Sequence, residues 1–93
     1  MALTWPPKDP DEVLDYQIDW SDRLTSETIL TSAWTISGSD SVLSEDSNSI
    51  AGESTVIWLS AGTLGVRYTL TNRITTSGGR TMDQTVRLKI QSK

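Results

Sequence analysis

Cysteine and histidine are both absent from the 93 residues. Without cysteine there is no disulfide, no thiolate nucleophile and no cysteine metal site. Without histidine the chain lacks the usual general base and the commonest metal ligand. Phenylalanine is missing too, so four tryptophans and two tyrosines carry the aromatic packing. No apolar run approaches the roughly 18 residues of a membrane helix. The start, Met1 to Asp9, has no basic region followed by an apolar stretch, so no secretory signal is expected and the chain reads as soluble and made in the cytoplasm. Helical periodicity of useful length is absent, as is any internal repeat.

Positive charge is scarce in the first half. Residues 1–53 hold eleven of the twelve acids and only Lys8 and Arg23 as bases, a net of −9, whereas residues 54–93 set Asp83 against six bases, a net of +5. Such asymmetry describes either two faces that attract one another within the fold or a subunit whose acidic side meets a neighbour's basic side. An isoelectric point near 4.5 argues against nucleic acid as a partner, because the phosphate backbone demands a basic surface.

What the chain has is alternation. From Val66 to Thr75 large or apolar residues hold the even positions and Arg or Thr most of the odd ones, and the pattern resumes at Met82, Gln84, Val86, Leu88 and Ile90. A period of two over this length predicts two strands, and Ser77-Gly78-Gly79 between them predicts a hairpin. A two-residue turn would set Ile74 against Asp83. A three-residue loop instead pairs Ile74 with Met82, Leu70 with Val86, Tyr68 with Leu88 and Val66 with Ile90, keeping every apolar residue on one face. That register makes Gly79 the left-handed residue of a bulged turn, sets Arg73 against Asp83 outside, and sets Asn72 against Gln84 inside, where two amides could satisfy each other.

Upstream, Val13 to Trp20 alternates as cleanly, with Leu14, Tyr16, Ile18 and Trp20 inward. Thr28 to Ser37 puts Leu30, Trp34 and Ile36 on one face and Ile29 and Ala33 on the other, the pattern of a strand partly covered on both sides. Ser41 to Leu43 reads as a short edge strand at best, and Ser44 to Ser49 as an exposed loop. Val56-Ile57-Trp58-Leu59 must place one pair in the core and the other under a loop, a second sheet or a partner. About seven short strands, no helix and a long C-terminal hairpin give the profile of an all-β, immunoglobulin-like antiparallel sandwich. Gly65 to Leu70 reads as its tyrosine corner, with Tyr68 bonding back to the preceding turn.

The opening Trp5-Pro6-Pro7-Lys8-Asp9-Pro10 packs three prolines into five positions, which favours an extended arm over a strand in the sheet. The expected division is an arm over residues 1–12 and a sandwich over 13–93. The arm is either a frayed end with Trp5 tucked against the domain or a segment that docks on a partner with Trp5 as anchor. In the docking case Trp5, Pro6, Pro7, Asp9, Asp11 and Glu12 are the contact candidates. Deleting residues 1–10 should then leave folding cooperative and abolish partner binding.

Catalysis has little to work with. A hydroxyl nucleophile needs an adjacent base, and the amines are Lys8, Lys89, Lys93 and the N-terminus. Asp15 and Asp19 on one strand face lie about 13 Å apart at a rise of ~3.3 Å per residue, beyond the roughly 5–9.5 Å of glycosidase carboxylates. Glu45 and Asp46 lack the ligand spacing, the central Gly and the closing Glu of a calcium loop. Gly78-Gly79 precedes no helix and so cradles no phosphate. Neither enzyme activity nor a metal or cofactor is expected.

Two stretches carry a resemblance. Pro7-Lys8-Asp9-Pro10-Asp11-Glu12-Val13-Leu14-Asp15-Tyr16 with Ile18-Asp19-Trp20, and Tyr68-Thr69-Leu70-Thr71-Asn72-Arg73-Ile74-Thr75-Thr76 with Gly79-Arg80-Thr81, are similar to small virion proteins of tailed bacteriophages and prophages, the fibre–tail adaptor proteins. The opening is the more specific part. The resemblance implies a structural subunit of the virion tail or neck, working by protein contacts with other tail, neck or fibre proteins and with itself in a ring, without nucleic acid or membrane. The alternatives are a capsid decoration protein of the same size and fold, and a carbohydrate-binding sandwich that uses Trp34 or Trp58 as a stacking platform.

Overall fold

Period-two patterning dominates the chain, and strands dominate its structure, a computed structural model in which residues 3–93 are described. The strands are β1 (Leu3–Thr4), β2 (Leu14–Asp19), β3 (Ile29–Ser37), β4 (Ser44–Ala51), β5 (Ser54–Ser60), β6 (Arg67–Thr76) and β7 (Thr81–Lys89), with one 3-10 turn at Ser21–Arg23. They form a four-stranded sheet in the order β1-β7-β6-β3 and a three-stranded sheet in the order β2-β5-β4. The two sheets pack as a sandwich around Ile18, Trp20, Ile57, Leu59, Tyr68, Leu70, Ile74, Val86 and Leu88, all buried. This is the all-β class that the alternation demands, and its strand orders are consistent with an immunoglobulin-like arrangement.

The hairpin adopts the register that parity requires. Ile74 pairs with Met82, Leu70 with Val86, Tyr68 with Leu88, and Arg73 with Asp83. The Ile90 N–H donates to the Val66 carbonyl at 3.0 Å and extends the ladder beyond β7. At the loop, Gly79 holds φ +83° and donates its N–H to the Thr76 carbonyl at 3.0 Å, as a bulged turn needs. The tyrosine corner is present too: the Thr63 N–H donates to the Tyr68 hydroxyl at 3.0 Å, and that hydroxyl donates to Asp40. Gly62, at φ +101°, lets the chain pass Ile90, where an added Cβ would approach within 2.9 Å.

Asn72 departs from expectation. Its amide turns into the core and not across to Gln84, because deeper partners await it there. Its carbonyl oxygen accepts from Trp20 Nε1 at 3.1 Å and from the Thr55 hydroxyl at 2.6 Å. Its Nδ2 donates to Ser32 Oγ at 2.9 Å and to the Ala33 carbonyl at 3.1 Å. Both donors and both lone pairs are thus used, and the network ties β5 and the end of β2 to β6 and β3 through the middle of the sandwich.

Three other expectations are corrected. The supposed loop Ser44–Ser49 is most of β4, whose eight residues are all exposed. Little in its side chains favours a strand; the free edge of β5 recruits it, since backbone N–H and C=O groups need partners. Leu30 does not face the core but is 60% exposed, because a bulge between Ile29 and Thr31 shifts the parity of β3 and turns Ile29 inward instead. Ala33 is exposed as well, so β3 is covered on one face only. Finally, Leu3 and Thr4 form a strand parallel to β7. The prolines do not prevent this, because the N–H groups of Trp5 and Lys8, which flank Pro6 and Pro7, donate to the Arg87 and Lys89 carbonyls at 3.0 Å each.

Glu27 holds the hairpin loop from the side. Arg80 Nη2 donates to it at 2.6 Å and the Thr76 hydroxyl at 2.6 Å. The Arg80 guanidinium and then the Thr76 hydroxyl hold its carboxyl down at about 2. Asp40 is likewise held low, first by Tyr68 and then by Thr63. A folded-state pKa below the unfolded one contributes stability that is present above about pH 4.5 and is lost as pH falls toward about 2. Urea midpoints measured from about pH 6 downward should therefore fall below about pH 4.5. Glu27→Gln should lower the neutral-pH midpoint and flatten that acid slope; an unchanged slope would contradict the assignment.

Candidate protein-contact surfaces

The Pro-rich opening was the sequence's candidate contact element, and most of it is engaged within the chain. Trp5 is 8% exposed. Its ring stacks on Tyr16 at 4.6 Å and 17°, and leans on Trp34 at 6.0 Å. The Tyr16 hydroxyl donates to the Pro6 carbonyl at 3.1 Å, and burial, followed by the charge of Glu12, pushes its pKa up to about 12.

The acids of the opening form a clasp. The Asp9 N–H donates to Glu12 Oε1 at 2.8 Å, and the Asp11 N–H to Asp9 Oδ1 at 2.8 Å. Asp9 Oδ2 accepts the Lys93 N–H at 2.9 Å, while the Lys93 ammonium pairs with Glu12 at 3.0 Å. Backbone donors, those of Asp11 and Lys93 on Asp9 and that of Asp9 on Glu12, hold both carboxyls below their usual range. Lys8 is fully buried. Its ammonium donates to the Ala61 carbonyl at 2.7 Å and the Asp9 carbonyl at 2.9 Å, and burial lowers its pKa against the raising influence of Glu12, Asp9, Asp11 and Asp46. Among the six candidates, Pro6 and Asp11 are exposed, Pro7, Asp9 and Glu12 half-buried, and Trp5 buried. Sequence reading missed this clasp; the Asp9-x-x-Glu12 spacing, in which a side chain reaches back three residues to a backbone N–H as in a capping box, is the signal that marks it.

Two sheet faces stand apart from the opening segment; the sequence marked Trp58 on one of them, but not the basic cluster on the other. The outer face of the four-stranded sheet carries Arg67, Arg87 and Lys89, all exposed, beside a cavity of about 350 Å³ lined also by Thr4, Trp5, Pro7 and Leu88. The outer face of the three-stranded sheet carries Trp58, 42% exposed, between Asp15 on β2 and Ser47 on β4. The apolar run thus resolves with Ile57 and Leu59 in the core and Val56 and Trp58 outside. Of the two proposed stacking platforms, only Trp58 is open: Trp34 is half-buried against Trp5, with its indole N–H buried and lacking an acceptor among the described residues.

Among the described residues, no group of three or more metal-ligating side chains gathers, and no helix is long and apolar enough to cross a membrane. The surface features open to contact are the exposed Trp58 on one sheet face and, on the other, three basic side chains with no ion pair among the described residues. No protein in the curated set matches the chain. One family model does match, over residues 8–89, and its description is "Podophage GP4 fiber-tail adaptor protein gp77".

Proposed function

The chain belongs to the podophage GP4 fiber-tail adaptor protein gp77 family, and from that premise we propose that it is a non-enzymatic subunit of the phage tail, joining fibre to tail by protein contacts alone. The observation that carries this reading is the family match, which runs from the Lys8 clasp to the end of β7. Its partners are other tail, neck or fibre proteins and further copies of itself in a ring. Its site of action is the assembled virion, after synthesis in the host cytoplasm. The sandwich is immunoglobulin-like, a scaffold whose rigid sheets present faces for docking. Pro6 and Asp11 remain the exposed contact points of the opening segment.

Fractionated particles test this. The protein should appear by mass spectrometry in tail fractions, in a fixed ratio to the tail proteins. Recovery with tail-free capsids would favour a decoration role, and absence from particles would end the proposal. Trp58 leaves one route to sugar binding, and host glycans that shift tryptophan fluorescence would redirect the reading toward recognition of a carbohydrate surface.

A further inference from the structure

Three basic side chains crowd one end of the outer face of the four-stranded sheet. Arg67 stands directly opposite Lys89, and Arg87 lies two residues along β7 on the same face. Like charges directly across a ladder destabilise it. The single acid on β6 or β7 is Asp83, and Arg73 holds it at 2.8 Å toward the other end. Arg67, Arg87 and Lys89 form no ion pair among the described residues, so the chain itself does not offset their repulsion. The cavity of about 350 Å³ opens among them.

The opposite side of the sandwich carries the complement. Trp58 stands at the centre of the three-stranded sheet with Asp15 opposite on β2. Gln17, Val56 and Ser49 make the next row outward, and Asp19, Ser54 and Ala51 the one after. No basic residue lies on β2, β4 or β5. An exposed indole beside carboxylates suits a pocket rimmed by guanidinium groups, since arginine stacks on tryptophan and pairs with carboxylates.

We infer that these two faces bind each other between copies of this chain. Trp58 of one copy enters the cavity beside Arg67, Arg87 and Lys89 of the next, and Asp15 and Asp19 lie against those cations. The faces belong to opposite sides of one sandwich, so the contact is head-to-tail, and its repetition closes a ring or runs on as a filament. The inference rests on the self-association in the adaptor reading and adds the surfaces that make it.

The full chain should self-associate in sedimentation velocity, more weakly as ionic strength rises and shortens the reach of exposed charges. Asp15→Lys with Asp19→Lys, and separately Arg67→Glu with Arg87→Glu, should each weaken association at least about tenfold. Mixing the two variants should restore pairwise association, because each brings the native face that the other lacks. Trp58→Ala should weaken it about thirtyfold, as expected for an anchor in a pocket. All five positions are exposed, and circular dichroism like that of the wild type confirms folding. A variant that fails this check is replaced by the neutral Asp15→Asn or Arg87→Gln. A wild-type chain that stays monomeric, a variant that associates as the wild type does, or an inert mixture overturns the inference. A monomer that still co-purifies with tails would sink this contact and leave the adaptor reading standing; an associating chain absent from particles would do the reverse.

Discussion

Asn72→Ala should destabilise the domain by about 3–4 kcal/mol, more than any other single polar substitution in the core. The amide is fully buried and is the junction of four hydrogen bonds. Truncation leaves the Thr55 hydroxyl and the Ala33 carbonyl without this partner, and reduces Trp20 Nε1 to its 3.1 Å bond with Thr55. Each buried polar group left unpaired costs about 1–3 kcal/mol, and the vacated volume adds to that. Against a total stability of about 5–15 kcal/mol, the loss is large. Urea titration followed by tryptophan fluorescence should show the midpoint collapse. Ser49→Ala on exposed β4 should move it within about 0.5 kcal/mol. A loss under about 1 kcal/mol for Asn72→Ala would mean that the network is not what joins the sheets.

Trp5→Ala should cost about 3–5 kcal/mol, the usual range for emptying a buried aromatic site. Both ring contacts, with Tyr16 and Trp34, disappear, and the inner end of β2 loses its cover. For a domain of this size, that lowers the melting temperature by at least about 12 °C. Deleting residues 1–10 should do more, because buried Lys8 and the ladder along β7 go with them. The sequence pattern left two alternatives, a frayed end with Trp5 tucked against the domain and a docking arm whose deletion would leave folding cooperative. The two accounts separate in one thermal scan: an unshifted transition for Trp5→Ala would restore the arm, and a large shift makes it part of the fold.

Why one part of the chain is legible and another is not comes down to range. Strict parity from Val66 to Ile90 settles the hairpin, since a slip of one residue would turn Leu70 and Val86 outward. Tyr68 was readable because Gly62 and Gly65 mark a turn within hydrogen-bond reach. β4 was not readable: Ser, Glu, Asp and Asn carry no strand preference, and its existence depends on the unpaired edge of β5. Leu30 failed because a bulge is invisible to periodicity. Prolines marked the opening as extended, but nothing local says which sheet edge an extended segment meets. Of the candidate surfaces, the Arg67–Lys89 opposition follows directly from the predicted register, whereas the exposure of Trp58 depends on how β2 and β4 flank β5.

The pairing of β1 with β7 also has a consequence for time. That edge of the four-stranded sheet is built from residues far apart in the sequence, Leu3 with Val86 and Lys8 with Ile90. A ribosome must deliver the chain through Ile90 before that edge can close, so Trp5 waits without its final seat while the middle strands assemble. Topologies dominated by such distant pairings fold in milliseconds to seconds, slowly for a domain this small. During that wait the bare side of β7 is open to a stray strand, and the rate at which the first residues return to it sets how long the nascent subunit is vulnerable to mispairing.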